Sequence, residues 1–289
     1  MSTARTRIRR RRWWLEVGWK YFFAVIVVFY AVFPLVYVLS ASLNPRGTLS
    51  GSNNLFSAFD LSNFAALGAT SYWTWVGNTL LVGGVSAVGA VIMGASAAYA
   101  FSRFRFRGRR VSLTSLLIVQ MFPQALAFVA IFLMLLAIGE IVPALGLNSK
   151  LALICVYLGG ALGANTFLMY GFFNTIPIEI DESAKIDGAT HAQIFWRLIM
   201  PLVTPILAVV ALLAFITAFG DYILAKIVLT SEDNWTLAVG MYQWVSNQLA
   251  SRWGLFAAGA VIAAIPVLAL FLSLQRFIVG GLTQGSVKG

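Results

Sequence analysis

One cysteine, one histidine and ten acidic residues leave this chain of 289 residues with little chemistry of its own. Cys155 stands alone inside an apolar run, which excludes an intramolecular disulfide and a thiolate metal cluster. His191, the single histidine, offers little to a metal site or an imidazole-activated nucleophile. No pair of carboxylates stands near it and no metal-ligand spacing occurs, so a membrane-bound enzyme is disfavoured. A Walker A pattern is also missing, and any ATP chemistry must belong to another polypeptide. Nor do the apolar runs carry the series of carboxylates that a proton-driven carrier would need.

What is abundant is oil. Hydrophobic residues make up 60% of the sequence and charged residues only 10%, with a mean hydropathy of +0.86. That composition belongs to an all-α polytopic membrane protein. A net charge of +10 would suggest nucleic acid in a soluble chain, but the basic residues here cluster beside apolar runs. Membrane orientation explains them better, and no nucleic-acid partner is expected.

The runs predict six membrane helices, at about 21–39, 76–101, 113–138, 151–173, 202–229 and 254–279. The first, from Tyr21 to Leu39, has 19 residues and would extend about 28 Å as a helix, enough to cross a bilayer core. It is too long for an ordinary signal-peptide core and reads as an uncleaved span. The organisation is then a basic segment over 1–20, a transmembrane domain over 21–279 and a tail over 280–289. With six spans both termini face the same side.

Charge says which side. The N-terminal flank, the five arginines of the 102–112 loop, the 175–205 stretch and the C-terminal end hold sixteen of the 20 Lys and Arg; only Arg46, Lys150, Lys226 and Arg252 fall opposite. This positive-inside bias puts both termini, and the 175–205 stretch, in the cytosol. Within the spans, Ser86, Ala90, Gly94 and Ala98 recur every four residues and would allow close helix packing. Pro123 and Pro266 should weaken helices locally. Asn165, Asp221 and Tyr222 are candidates for a pathway or gate, with structural pairing the alternative for Asp221. Lys226, five residues beyond Asp221, is off the helical distance for a partner.

The 175–205 stretch is the polar island of the chain. Glu179, Asp181 and Glu182 crowd a helix N-terminus, with Thr175 able to cap and Pro177 suited to the first turn. Gly188 ends that helix in a left-handed corner. Thr190 to Gln193 has capping-box spacing, and the second helix should run until Pro201 disrupts it. Ile176, Ile180 and Ala184 form a narrow apolar stripe suited to a partner's groove.

Glu182-Ser183-Ala184, Gly188, and Leu198-Ile199-Met200-Pro201 resemble the EAA loop of bacterial ABC-importer permeases, with the spacing E-A-A, three residues, G, nine residues, I-x-L-P kept throughout. Ser183, Leu198 and Met200 depart from the pattern by small or apolar exchanges. The tail GGLTQGSVKG and the long last outer loop resemble the maltose and trehalose (MalG-type) branch. The resemblance implies the type I importer permease fold and a passive membrane subunit, working beside a second homologous permease, two ATPase subunits that bind ATP and Mg, and an extracytoplasmic sugar-binding protein. Glu182, Ser183, Ala184, Asp187, Gly188 and Pro201 would couple to the ATPase, joined by Gln284, Gly285 and Lys288 of the tail. The loop residues Tyr242, Trp244, Asn247, Gln248 and Trp253 would face the binding protein; the plainer reading of such tryptophans is membrane-interface anchoring. No cofactor is expected in this chain. Another solute, such as glycerol phosphate or a polyamine, is the alternative cargo, and a self-sufficient secondary carrier the rival class.

Overall fold

The computed structural model describes residues 13–45, 54–246 and 252–284, and the described residues are helical with no strand. In chain order the helices are α1 (Trp19–Ser42), α2 (Ser62–Leu67), α3 (Tyr72–Arg103), α4 (Arg109–Gln120), α5 (Gln124–Ile141), α6 (Lys150–Phe173), α7 (Glu179–Ile186), α8 (His191–Leu202), α9 (Thr204–Gly220), α10 (Ile223–Val228), α11 (Leu237–Tyr242) and α12 (Trp253–Gln284).

Among them, the segments Glu16–Ser42, Tyr72–Arg103, Gln124–Ile141 and Trp253–Ile278 are each long and apolar enough to cross a membrane. Two bent pairs pass only when joined: Lys150–Gly163 with Asn165–Phe173, at 44°, and α8 with α9, at 80°. The described residues thus provide four spans, or up to six. Two boundaries differ from those expected. The predicted third span, 113–138, is cut at Met121–Pro123, because Pro123 has no amide to give and disfavours helix at the residue before it. Its apolar part starts again at Gln124, leaving α4 as a separate helix. The predicted fifth span, 202–229, stops at Gly220; Asp221 is extended, and α10 begins beyond it.

Contacts group the chain into two compact units, Met1–Ala69 with Trp244–Ile262, and Thr70–Gln243 with Ala263–Gly289. In the first, α1 is apolar from Tyr21 to Leu39, and none of its most apolar window is buried. Only its end is packed: Ser40, Ala41 and Ser42 are buried, the Ser40 hydroxyl accepts from the Phe56 amide at 2.7 Å, and Asn63 donates to the carbonyls of Ser42 and Asn44 at 3.0 and 2.9 Å.

In the second unit α3 is the spine, and two hydrophobic clusters form along it. One gathers Ala95, Ala98 and Tyr99 with Met169, Phe173, Ile199, Val203 and Val210. The other gathers Val82 with Leu153, Ala225, Val228 and Val239. The small residues Ser86, Ala90, Gly94 and Ala98 are all buried, so the stripe serves packing within this chain. Gly89 leaves room for Leu158 of α6, whose terminal methyl lies 2.6 Å from where a Cβ would stand. Beyond that contact, polar side chains fasten the loop after α10. Asn78 donates to the carbonyls of Asp233 and Trp235 at 2.8 and 2.9 Å and accepts from Lys150 at 2.9 Å. Asn148, at φ +61°, accepts from the Thr230 and Ser231 amides at 3.1 and 2.9 Å. Its own carbonyl receives Asn234 at 2.8 Å.

Candidate functional site

The island folds into the expected helix, corner and helix, here α7 and α8. Glu179, Asp181 and Glu182 fill the first turn of α7, where the unpaired amides and helix dipole favour negative charge. Gly188 ends it at φ +80°, its amide donating to the Lys185 carbonyl at 3.0 Å, while the Ala189 amide reaches the Ala184 carbonyl at 2.9 Å. The second of these is the long-reach bond of a Schellman cap. Thr190 then closes a full capping box: its hydroxyl accepts from the Gln193 amide at 3.3 Å, and its amide donates to the Gln193 side chain at 2.8 Å. Two stiff helices therefore meet at a corner whose backbone polar groups are paired.

Three expectations change. Thr175 does not cap α7; its hydroxyl donates back to the Phe172 carbonyl at 2.8 Å, and the N-cap position is Ile178. The stripe Ile176, Ile180 and Ala184 faces inward, with Ile176 and Ala184 buried in the α3 cluster and Ile180 packed against it. Ala184 is therefore a packing residue rather than a contact surface; amphipathicity reveals that a face is buried but not against which chain. Pro201 does not end its helix either. Ile194–Ile199 is a π-helical stretch, and the chain stays helical through Leu202 before it breaks at Val203. The Thr204 hydroxyl accommodates the break by donating to the carbonyls of Pro201 and Met200 at 2.8 and 3.2 Å.

The surface left to solvent is the acidic one. Glu179, Glu182, Ser183, Asp187 and Gly188 are exposed, together with Ile178 and Ile186, the latter 87% exposed. A feature the sequence reading missed lies behind this face. Asp181 is buried and pairs with Arg103, the last residue of α3, at 3.0 Å; the two side chains are 4% and 8% exposed. Arg103 also donates to the Ile176 carbonyl at 3.0 Å, and Ser102 donates to Asn174 at 2.9 Å. Arg103 had counted only as one of five orienting arginines. The available signal was the register of Asp181, three residues before Ala184 and so beside the buried stripe.

The remaining candidates lie elsewhere. Asp221 begins the turn beyond the far end of α9, which has 17 residues and is about 26 Å long. Its carboxylate accepts from the Tyr157 hydroxyl at 2.7 Å and the Ala225 amide at 2.9 Å, so its partner is a tyrosine of α6. Lys226 instead sits 4.4 Å from the centre of the Trp235 ring. Tyr222 packs against Tyr242, with ring centres 4.4 Å apart, and Asn165 lies half-buried beside Gly94. In the other unit Trp244 is buried at 7% exposure, so its ring packs the fold instead of protruding, and Trp253 stacks on Phe256. Gln284 is the last described residue of α12; Asn247, Gln248, Gly285 and Lys288 lie outside the described residues.

Residues 90–284 match the family described as the binding-protein-dependent transport system inner membrane component. The maltodextrin transport permease MdxG of Bacillus subtilis is 39% identical over 93% of this chain and 95% of its own. GanQ of the same organism, a galactooligosaccharide transport permease, is 38% identical over 93% of each. MalG of Vibrio parahaemolyticus, a maltose/maltodextrin permease, is 37% identical over 98% and 97%. Among solved structures, a chain of a bacterial ABC transporter that imports alginate superposes with a TM-score of 0.76 at 24% identity, covering 92% of this chain and 97% of that one. A polytopic helical chain with its paired corner, matched over two thirds of its length and followed by relatives end to end, belongs to the binding-protein-dependent transport system inner membrane components, a family of bacterial ABC-importer permease subunits.

Proposed function

We propose that this chain is the passive membrane subunit of an importer of oligosaccharides in the maltodextrin class. Its work is done with a second homologous permease, two ATPase subunits and an extracytoplasmic sugar-binding protein. The observation that carries the proposal is the α7–α8 corner. An exposed acidic helix, capped at Gly188 and fixed to the body from behind, is built to be gripped and moved as one piece. Relatives named for maltodextrin and for galactooligosaccharide transport stand at nearly the same identity, which supports an oligosaccharide cargo and leaves the sugar unit open.

In this reading both termini and the α7–α8 corner face the cytosol, supported by the charge bias along the sequence. ATP and Mg are bound by the ATPase subunits, whose closure displaces the corner. The corner is continuous with α6 before it and α9 after it, so its displacement tilts those helices and opens the pathway outward. A ligand can drive such a change only through contacts that differ between the two states. Glu182 meets a basic residue of the ATPase, with Ser183 and Asp187 beside it, and Gly188 fixes the angle between the two arms. Asn165, Asp221 and Tyr222 remain candidates for the pathway.

The test is reconstitution. The chain should co-purify with its ATPase, and vesicles holding the complex should hydrolyse ATP faster when the loaded sugar-binding protein is added. Solute uptake by the purified chain alone, driven by an ion gradient, would favour the secondary carrier instead.

A further inference from the structure

The peptide chain joins the α7–α8 corner to only two long helices, α6 and α9. The third large helix against it, α3, has no such link, yet its end is tied to the corner by a buried charge pair and a hydrogen bond as well as by packing. Arg103 pairs with Asp181 at 3.0 Å, with both side chains almost fully buried, and donates to the Ile176 carbonyl at 3.0 Å. One turn earlier, the Tyr99 ring meets Phe195 of α8, with ring centres 5.1 Å apart. Arginine therefore holds both the first turn of α7 and the segment leading into it, while Tyr99 holds the second arm.

We infer that Arg103 and Asp181 are positioning residues that make α3 a third moving helix, carried with the corner when the ATPase displaces it. The inference rests on the functional reading above. A buried charge pair suits this role, because drawing the two groups apart strands a charge in a dry environment. Apolar packing alone would permit shear. Three helices moving together would also keep the α3 cluster intact through the cycle, since Ala98, Tyr99, Phe173, Ala184 and Val203 all belong to it.

The experiment uses the assembled transporter in vesicles. With Cys155→Ser removing the native thiol, spin labels at Ser96→Cys on α3 and Lys185→Cys on α7, both exposed positions, report their separation with and without ATP. A rigid tether holds the distance to within about 2 Å, the scale of ordinary helix shifts, and Asp181→Asn broadens it. The same variant should lower solute moved per ATP by about fivefold or more, the smallest effect expected of coupled sites. A larger shift in the chain with Asp181 intact, or an unaltered transport ratio in Asp181→Asn, overturns the inference. If Asp181→Asn does not assemble, the distance measured with Asp181 intact decides by itself. Failure of the unlabelled chain to co-purify with any ATPase would instead remove the functional reading beneath it.

Discussion

Gly188 allows the lever reading to be tested with one graded series. Its φ is +80°, and no atom lies within 4 Å of where a Cβ would stand. The cost of a substitution is therefore in the backbone, not in a collision. For an ordinary L-residue the left-handed region costs about 1–2 kcal/mol, less for asparagine and more for a β-branched side chain. One to two kcal/mol reduces the population of a local conformation by a factor of about 5–30. Asparagine should therefore be nearly silent, alanine intermediate and valine severe. Because the site is exposed and outside the core, all three variants should insert and accumulate normally. The assay is sugar uptake and ATP hydrolysis measured on the same vesicles. The ratio of uptake to hydrolysis should fall in the order Gly, Asn, Ala, Val while hydrolysis persists. A valine variant with an unchanged ratio would refute the claim that the corner angle transmits force.

Other substitutions probe separate parts of the argument. Lys185, exposed on α7, should react with a membrane-impermeant amine reagent only when the cytosolic face is open; labelling from outside intact cells would reverse the assigned orientation. Gly146→Val would press a Cβ to 2.6 Å from the Gly139 backbone of α5 and should destabilise the chain by about 1–3 kcal/mol, read as a lower thermal midpoint in detergent; an unchanged midpoint would show that α5 and the loop before α6 have room to separate. Asn148→Ala loses the acceptor for two backbone amides and places an ordinary residue at φ +61°, so about 2 kcal/mol of local stability should go and the loop after α10 should become sensitive to protease. Resistance equal to that of the unaltered chain would mean Asn234 and Asn78 suffice.

Local grammar was readable from the residues because it depends on near neighbours. Gly188, the Thr190 capping box and the acidic first turn of α7 each act within a few positions, and the structure keeps all of them. What escaped was anything requiring a second, distant segment. The stripe Ile176, Ile180, Ala184 declares a buried face but not the owner of the opposing surface, which is the chain's own core. Asp181 looked like one more dipole-stabilising acid until Arg103, 78 residues earlier, was seen beside it. The expected third span shows another limit: hydropathy runs straight across Met121–Pro123, whereas the backbone cannot. Asp221 is similar, since an apolar window hides a helix end that tertiary contacts with Tyr157 make stable.

The 80° angle between α8 and α9 has a mechanical meaning. Two rods meeting nearly at right angles transmit force crosswise: thrust delivered along the first has almost no component along the second, and so pushes the base of α9 sideways at Val203. Under the proposed function, such an arrangement would not pull α9 in and out like a piston. It would tilt α9, so that a stroke at the Val203 end is felt at the far end, beside Asp221.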